Sequence, residues 1–243
     1  SITEKTKVLL PVHFGGLSCD IDKINSLSKK YNLKIIEDAA HAAGTSYKNK
    51  KIGSHGNAVC FSFHPIKNLA MPTGGLISIN DKNHSKIRES LCAKRWCGIT
   101  NRKKMDYDIK QIGNNYYMNE FSASIGLVQL KKLDKLNTLR RKIAKIYSQE
   151  IKINSKMQFD EHCSYHLYWI LVKNRNEFQK RMTEHGIETG THYKPIHTFS
   201  LYKSKIKLKN TENIGKKVVT IPCHSNLNEA EITKIIQLTN KFS

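Results

Sequence analysis

The sequence predicts an α/β fold, a larger strand–helix domain followed by a smaller α+β one, and three observations carry that expectation. A short apolar run at Val8–Val12, a helical spacing over Asp20–Tyr31 and a second apolar run at Lys34–Glu37 fit one βαβ unit of about 30 residues. Further short apolar runs, Val59–Phe63 and Leu76–Ile79, follow at strand length. After about residue 154 the pattern changes to isolated strands and helices. The expected division is therefore 1–153, ending in a long helix, and 154–243.

Val8–Val12 runs into His13-Phe14-Gly15-Gly16, a strand entering a glycine turn. In Asp20–Tyr31, Ile21, Ile24, Leu27 and Tyr31 recur at helical spacing, with Asp20 as N-cap and Asn32 as the stop. Strand, helix and strand imply parallel pairing, and ligands of such sheets gather beyond the carboxyl ends of the strands. Glu37, Asp38 and His41 fall there on the first run, and Ser62 on the second, with Lys67 five residues later. Asn83–Arg95 reads as a helix, and the polar, aperiodic Gly98–Gly113 as a loop. Asn119–Ile153 is the longest periodic segment, with Phe121, Ile125, Val128, Leu130, Leu133, Leu136, Ile143 and Ile146 at helical spacing. Beyond it come a strand at His166–Val172, a helix at Arg175–His185, a strand at Val218–Pro222 and a closing helix at Asn228–Phe242.

Composition narrows the function classes. Lys+Arg 41 against Asp+Glu 20 gives a net charge of +21, which raises nucleic-acid binding as a reading. The basic residues are scattered, without a recognition helix or stacking motif, so solvated lysine faces explain them better. None of the six cysteines forms a CxxC pair, which argues for reduced thiols and no zinc site. There is no apolar run of membrane-spanning length and no signal peptide, so the expected location is cytoplasmic. The chain starts at Ser1 without an initiator Met, as a fragment of a longer protein would.

Taken alone, Lys67 is one of 41 basic residues, Asp38 suits a helix cap, and Ser62 suits a turn. Together, a strand-end carboxylate, a hydroxyl and a lysine are what pyridoxal 5′-phosphate (PLP) requires: an anion for the pyridinium nitrogen, a phosphate donor and a Schiff-base amine. The lysine must be neutral to react, so its pKa has to fall from about 10.4.

At this point the sequence resembles the DegT/StrS-type nucleotide-sugar aminotransferases, which are fold-type I PLP enzymes. The matching stretches are PVHFGG (11–16), IIEDAAHAAG (35–44), GNAVCFSFHPIKN (56–68), GGLISIND (74–81), IGNNYYMNEFSASIGLVQLKKLD (112–134), GIETGTHYKPIH (186–197) and TIPCHSNLNEAEI (220–232), all in family order. The resemblance implies that Lys67 carries PLP and shuttles the proton between cofactor and substrate carbons. It implies that Asp38 pairs with the pyridine nitrogen, that His41 lies near the 3-hydroxyl and that Ser62 binds the phosphate. Asn115 would reach the phosphate of the partner subunit's PLP in a homodimer with shared sites, and His192 and Tyr193 would lie near the sugar. The implied reaction moves an amino group, from glutamate, to a nucleotide-linked keto sugar for surface-polysaccharide or glycan synthesis, with no metal, nucleic acid or membrane involved. Lys67 opposes the dehydrating branch of the family, which has His there.

The chain departs from the family pattern in three places. Tyr117 stands where Asn-Tyr-Arg is common, and Pro72-Thr73 where an acidic residue often precedes Gly-Gly. Roughly a hundred family residues before PVH, with a phosphate-binding turn, have no counterpart, so the large domain is expected to be N-terminally incomplete. The alternative function is a truncated, catalytically silent remnant that serves as a subunit or interaction module.

Overall fold

The computed structural model describes residues 2–204 and 206–243. Its first compact unit comprises residues 1–14 and 18–133, and its second residues 15–17 and 134–243. The division thus falls inside the long helix at Leu133/Asp134, twenty residues before the expected 153/154 boundary.

In the first unit, β1 (Val8–Leu9), α1 (Ile21–Tyr31), β2 (Lys34–Asp38), β5 (Ala58–Ser62) and β6 (Gly75–Ile79) build a four-stranded sheet in the order β1-β2-β5-β6. A small β3–β4 pair (Ser46–Tyr47, Lys50–Lys51) lies between β2 and β5 in sequence. The β1–β2 and β2–β5 pairs are parallel and β5–β6 is antiparallel. Helix α1 starts where Asp20 accepts the Lys23 N–H and stops where Asn32 takes a left-handed conformation (φ 49°, ψ 48°).

Strand alternation sorts the sheet into two unlike faces. Ile35, Glu37 and Val59 are buried, and Val59 packs with Ile21, Ala39, Ala42 and Ile52. The opposite face carries Ile36, Asp38, Cys60 and Ser62 and is open among the described residues. Leu10 is 64% exposed there, and Val12 and Ile77 are also exposed. Parallel sheets normally have both faces covered, so this apolar surface belongs under further structure.

Helix α2 (His84–Arg95) follows, and then β7 (Ile99–Lys103) and β8 (Asp106–Ile109) pair as an antiparallel hairpin. This corrects the loop expected over Gly98–Gly113. The hairpin is mostly exposed, and its register shifts between Thr100 and Lys103, so its sequence has neither an apolar face nor clean alternation.

Helix α3 (Glu120–Glu150) has a front half turned the unexpected way. Ser122, Gly126 and Leu133 face inward, while Phe121 (84% exposed), Ile125, Val128 and Leu130 face out. Gly126 lets the helix pack closely against Met71, since a Cβ there would lie 2.7 Å from Met71 Sδ and force that side chain to move.

The second unit holds β9 (Tyr168–Leu171) and β10 (Val218–Ile221) as an antiparallel pair, with α4 (Arg175–Glu184), α5 (Lys209–Lys217) and α6 (Glu229–Phe242). Its core gathers Tyr147, Tyr165, Tyr168, Phe178, Met182 and Ile236. Arg140 donates to the Tyr165 and Cys223 carbonyls, and Asn228 and Glu231 close a capping box on α6. Helix α5 was not expected, because its short polar sequence shows little apolar periodicity. No helix among the described residues is long and apolar enough to cross a membrane.

Candidate active site

Asp38 is the last residue of β2 and is tied down through its backbone. Its N–H donates to the Pro11 carbonyl (2.9 Å), and its carbonyl accepts the His13 N–H (3.0 Å). Oδ1 of its side chain accepts the Ala40 N–H at 2.9 Å. Asp38 pairs with Cys60 across β2–β5, and two residues on, Ser62 ends β5. Asp38, Cys60 and Ser62 line a hollow of about 350 Å³ on the open sheet face, with Leu10, Ile36 and Ala40. Ser62 Oγ accepts the His64 N–H at 3.3 Å, which opens the loop that carries Lys67.

That loop is held as a closed unit. The Phe63 N–H donates to Gly74 O (3.0 Å), Met71 N–H to Phe63 O (2.9 Å) and Lys67 N–H to His64 O (2.8 Å). Leu69 and Met71 anchor it in a small core with Ala43 and Leu133. Lys67 is half-buried, and burial lowers its pKa from the ordinary lysine value, while the Asp38 charge pulls the other way. Burial and then the Asp38 charge raise the Cys60 thiol. Lys67 and Cys60 therefore both lie within the field of one carboxylate. His41, three residues past Asp38, has its ring 5.9 Å from that of Phe14.

The pKa direction gives an expected result. In competitive labelling with an amine reagent, read by mass spectrometry against an added free lysine-amine standard, Lys67 should reach half-maximal reactivity at lower pH than the standard. An equal or higher midpoint would remove the argument that the site favours the neutral amine.

The remaining expected residues belong to other segments of the chain. Asn115 is exposed in the first unit, bridges to Trp96, and accepts the Tyr117 N–H at 3.4 Å. His192 and Tyr193 belong to the second unit. His192 Nδ1 lies 2.8 Å from Thr220 Oγ1, and the two rings meet edge to face at 4.8 Å.

Glu37, expected at the ligand end of β2 beside Asp38, proves to serve the opposite face. Its side chain is buried (1% exposed), with Oε2 2.8 Å from His13 Nε2 and Oε1 accepting the Gly56 N–H. His13 Nδ1 in turn accepts the Cys19 N–H at 3.1 Å. Burial favours the neutral His13 ring, whereas Cys19 and the Glu37 carboxylate pull its pKa up to about 9. Only the neutral ring, protonated on Nε2, keeps the Cys19 bond, and that form satisfies both nitrogens. The pair was missed as a unit, because 24 residues separate its members. Strand alternation alone could have placed Glu37 opposite Asp38.

As a cofactor cradle, the arrangement fits PLP in its donor set. A carboxylate, a hydroxyl and a partly buried amine under one carboxylate's influence share the carboxyl end of a parallel sheet, the usual place for a ligand. No cluster able to hold a metal occurs among the described residues.

The profile of the DegT/DnrJ/EryC1/StrS aminotransferase family matches residues 1–239. UDP-4-amino-4,6-dideoxy-N-acetyl-beta-L-altrosamine transaminase of Campylobacter jejuni (strain 81-176) is 37% identical over 239 residues, covering 92% of this chain and 62% of that protein. The protein of that name from Helicobacter pylori is 32% identical, covering 96% of this chain and 65% of its own length. Among solved structures, Helicobacter pylori PseC, described as an aminotransferase involved in the biosynthesis of pseudoaminic acid, superposes with a TM-score of 0.92 at 31% identity, covering 99% of this chain and 68% of PseC. The PLP form of the putative sugar aminotransferase Spr1654 from Streptococcus pneumoniae gives 0.88 at 26% identity, covering 100% of this chain and 70% of that one. The chain thus spans about two thirds of the length of these relatives.

Proposed function

The chain belongs to the DegT/DnrJ/EryC1/StrS aminotransferase family, and from that premise we propose that it carries half of a PLP site for moving an amino group from glutamate to a nucleotide-linked keto-deoxy sugar. The observation that supports this most directly is the grouping of Asp38 and Ser62 on the open sheet face with Lys67 in the same electrostatic neighbourhood. Bound PLP supplies an electron sink for negative charge at the carbon bearing the nitrogen. Asp38 is the anion that keeps a proton on the pyridine nitrogen, His41 stands near the ring, and the Ser62 hydroxyl donates to phosphate. Lys67 holds PLP through Nζ and, as a free neutral amine, takes and returns the proton at the substrate carbon. His192 and Tyr193 contribute to binding the sugar.

The partner in this reading is a second copy of the chain. Ile112 (93% exposed), Tyr116, Phe121, Ile125 and Val128 are exposed apolar side chains in the segment that contains exposed Asn115 and the start of α3, and exposed apolar residues in such numbers support a protein interface. Asn115 then contacts the phosphate in the other subunit's site. The open sheet face supports completion of the cradle by residues outside this chain. Free cysteines suit a cytoplasmic enzyme, and the product class suits lipopolysaccharide, capsule or glycan assembly.

The test supplies glutamate and a UDP-linked 4-keto-6-deoxy sugar and measures 2-oxoglutarate and amino sugar in equal amounts. Mixing Lys67→Ala with Asn115→Ala subunits should recover part of the turnover that each variant lacks. No recovery from two folded dimers would overturn the shared site. The rival reading, a silent subunit, requires no turnover and no PLP on Lys67 in the wild type.

A further inference from the structure

The second unit carries a segment in which charge and apolar surface both stand in water. Between Glu188 and Glu212 the sequence has no carboxylate, and five lysines fall there: Lys194, Lys203, Lys205, Lys207 and Lys209. Lys205 lies outside the described residues, and the other four are exposed. Large apolar side chains are interleaved with them and uncovered. Leu201 is 85% exposed, and Ile196, Phe199, Tyr202, Ile206 and Leu208 are exposed as well. The segment is nevertheless folded. Short turns at Ile196–Thr198 and Ser200–Tyr202 are closed by the Thr198, Phe199 and Tyr202 N–H groups, which donate to the Pro195, Ile196 and Phe199 carbonyls at 3.0–3.1 Å. Pro195 packs against Gly215 of α5, where a Cβ would lie 2.6 Å from the proline Cγ. Glu212, the acid that closes the run, is already engaged: it accepts the Leu208 N–H at 3.0 Å and lies 3.3 Å from His197 Nε2. Lys194 Nζ lies 5.0 Å from the centre of the Phe199 ring, so a cation and an apolar side chain meet directly.

We propose that residues 194–209 form a docking surface for an anionic lipid bilayer. Ammonium groups are drawn to anionic headgroups, and aliphatic and aromatic side chains beside them enter the boundary between headgroup and acyl chain. The composition argues against the other occupants. A nucleic acid would take the lysines and leave Ile196, Leu201, Ile206 and Leu208 in water. A second copy on this face would cover the apolar side chains but set two lysine-rich segments against each other, and protein interfaces are depleted in lysine. The contact is attachment to a surface, since no described helix is long and apolar enough to cross a membrane. The reaction implied by the family likeness needs no membrane, and this surface adds none to it. Attachment and amino transfer are independent properties of the chain.

Co-sedimentation with vesicles tests it. The chain should bind vesicles of equal parts phosphatidylcholine and phosphatidylglycerol and not vesicles of phosphatidylcholine alone, and added salt should weaken the binding. Lys203→Glu with Lys207→Glu should lower the affinity about tenfold or more. Lys131→Glu with Lys135→Glu, the same charge change on α3, should lower it far less. Leu201→Ser with Ile206→Ser should also weaken binding, with the circular dichroism spectrum unchanged because both side chains are exposed. Leu201→Trp should add an emission that moves to the blue on anionic vesicles. Equal loss in both charge variants would assign the binding to the +21 net charge of the whole chain and overturn the docking surface. So would full vesicle binding by the serine variant, an unshifted Leu201→Trp emission, or no vesicle binding by the wild type. Polyuridylate held equally by the wild type and the serine variant, without vesicle binding, would identify a nucleic-acid surface instead. A dimer lost in the serine variant, again without vesicle binding, would identify an interface between copies.

Discussion

Lys67→Ala should leave no PLP on the chain after borohydride reduction, whereas the wild type should carry the reduced cofactor's mass on the peptide that contains Lys67. Amino transfer should fall by at least about 10²-fold, the lower end of what a positioned acid–base group contributes. The expectation is specific to position 67. The loop is pinned at Leu69 and Met71, so removing an amine at its half-buried turn costs little packing. The variant should therefore fold, and its failure would report chemistry. Burial has already shifted this amine toward its neutral form. Reduced cofactor found on another lysine, or full turnover by Lys67→Ala, would end the assignment.

His13→Ala should strongly destabilise the first unit. It strands the Glu37 carboxylate at 1% exposure with the Gly56 N–H as its remaining partner, and it leaves the Cys19 N–H without an acceptor. Removing the hydrogen-bond donor of a buried carboxylate costs about 3 kcal/mol or more, because the charged oxygen is left without that partner away from water. Urea unfolding should show the loss. Glu37→Gln should cost less, about 1–3 kcal/mol. Its amide has one oxygen to serve both the His13 Nε2–H and the Gly56 N–H, and its NH₂ meets a donor. The double variant His13→Ala/Glu37→Ala should be less destabilised than the sum of its singles, since no charge remains buried. A His13→Ala loss within about 0.5 kcal/mol, the level of ordinary surface changes, would show that the pair does not hold the strand ends together. The strand ends matter for function, because the His13 N–H also donates to the Asp38 carbonyl. A lock on one face of β2 thereby fixes the carboxylate on the other.

What the sequence alone determined is local. The α1 caps at Asp20 and Asn32, the parallel β1–β2 pairing, and the position of Asp38 and Ser62 at strand ends, with Lys67 in the loop beyond, follow from spacing and turn chemistry within a few residues. Family likeness extended this to the α/β class and to the kind of site. Tertiary structure decided what depends on distant partners. Glu37 and Asp38 are neighbours, yet one is buried against His13 and the other faces the open hollow, because strand alternation separates faces and only packing says which face is inside. The front of α3 is apolar and periodic, but its inward positions are Ser122, Gly126 and Leu133, with Met71 packed close against Gly126. The hairpin at Ile99–Ile109 is stabilised by cross-strand hydrogen bonds that its polar, bulged sequence does not advertise. Periodicity reports that a face exists, and the three-dimensional neighbours decide what it meets.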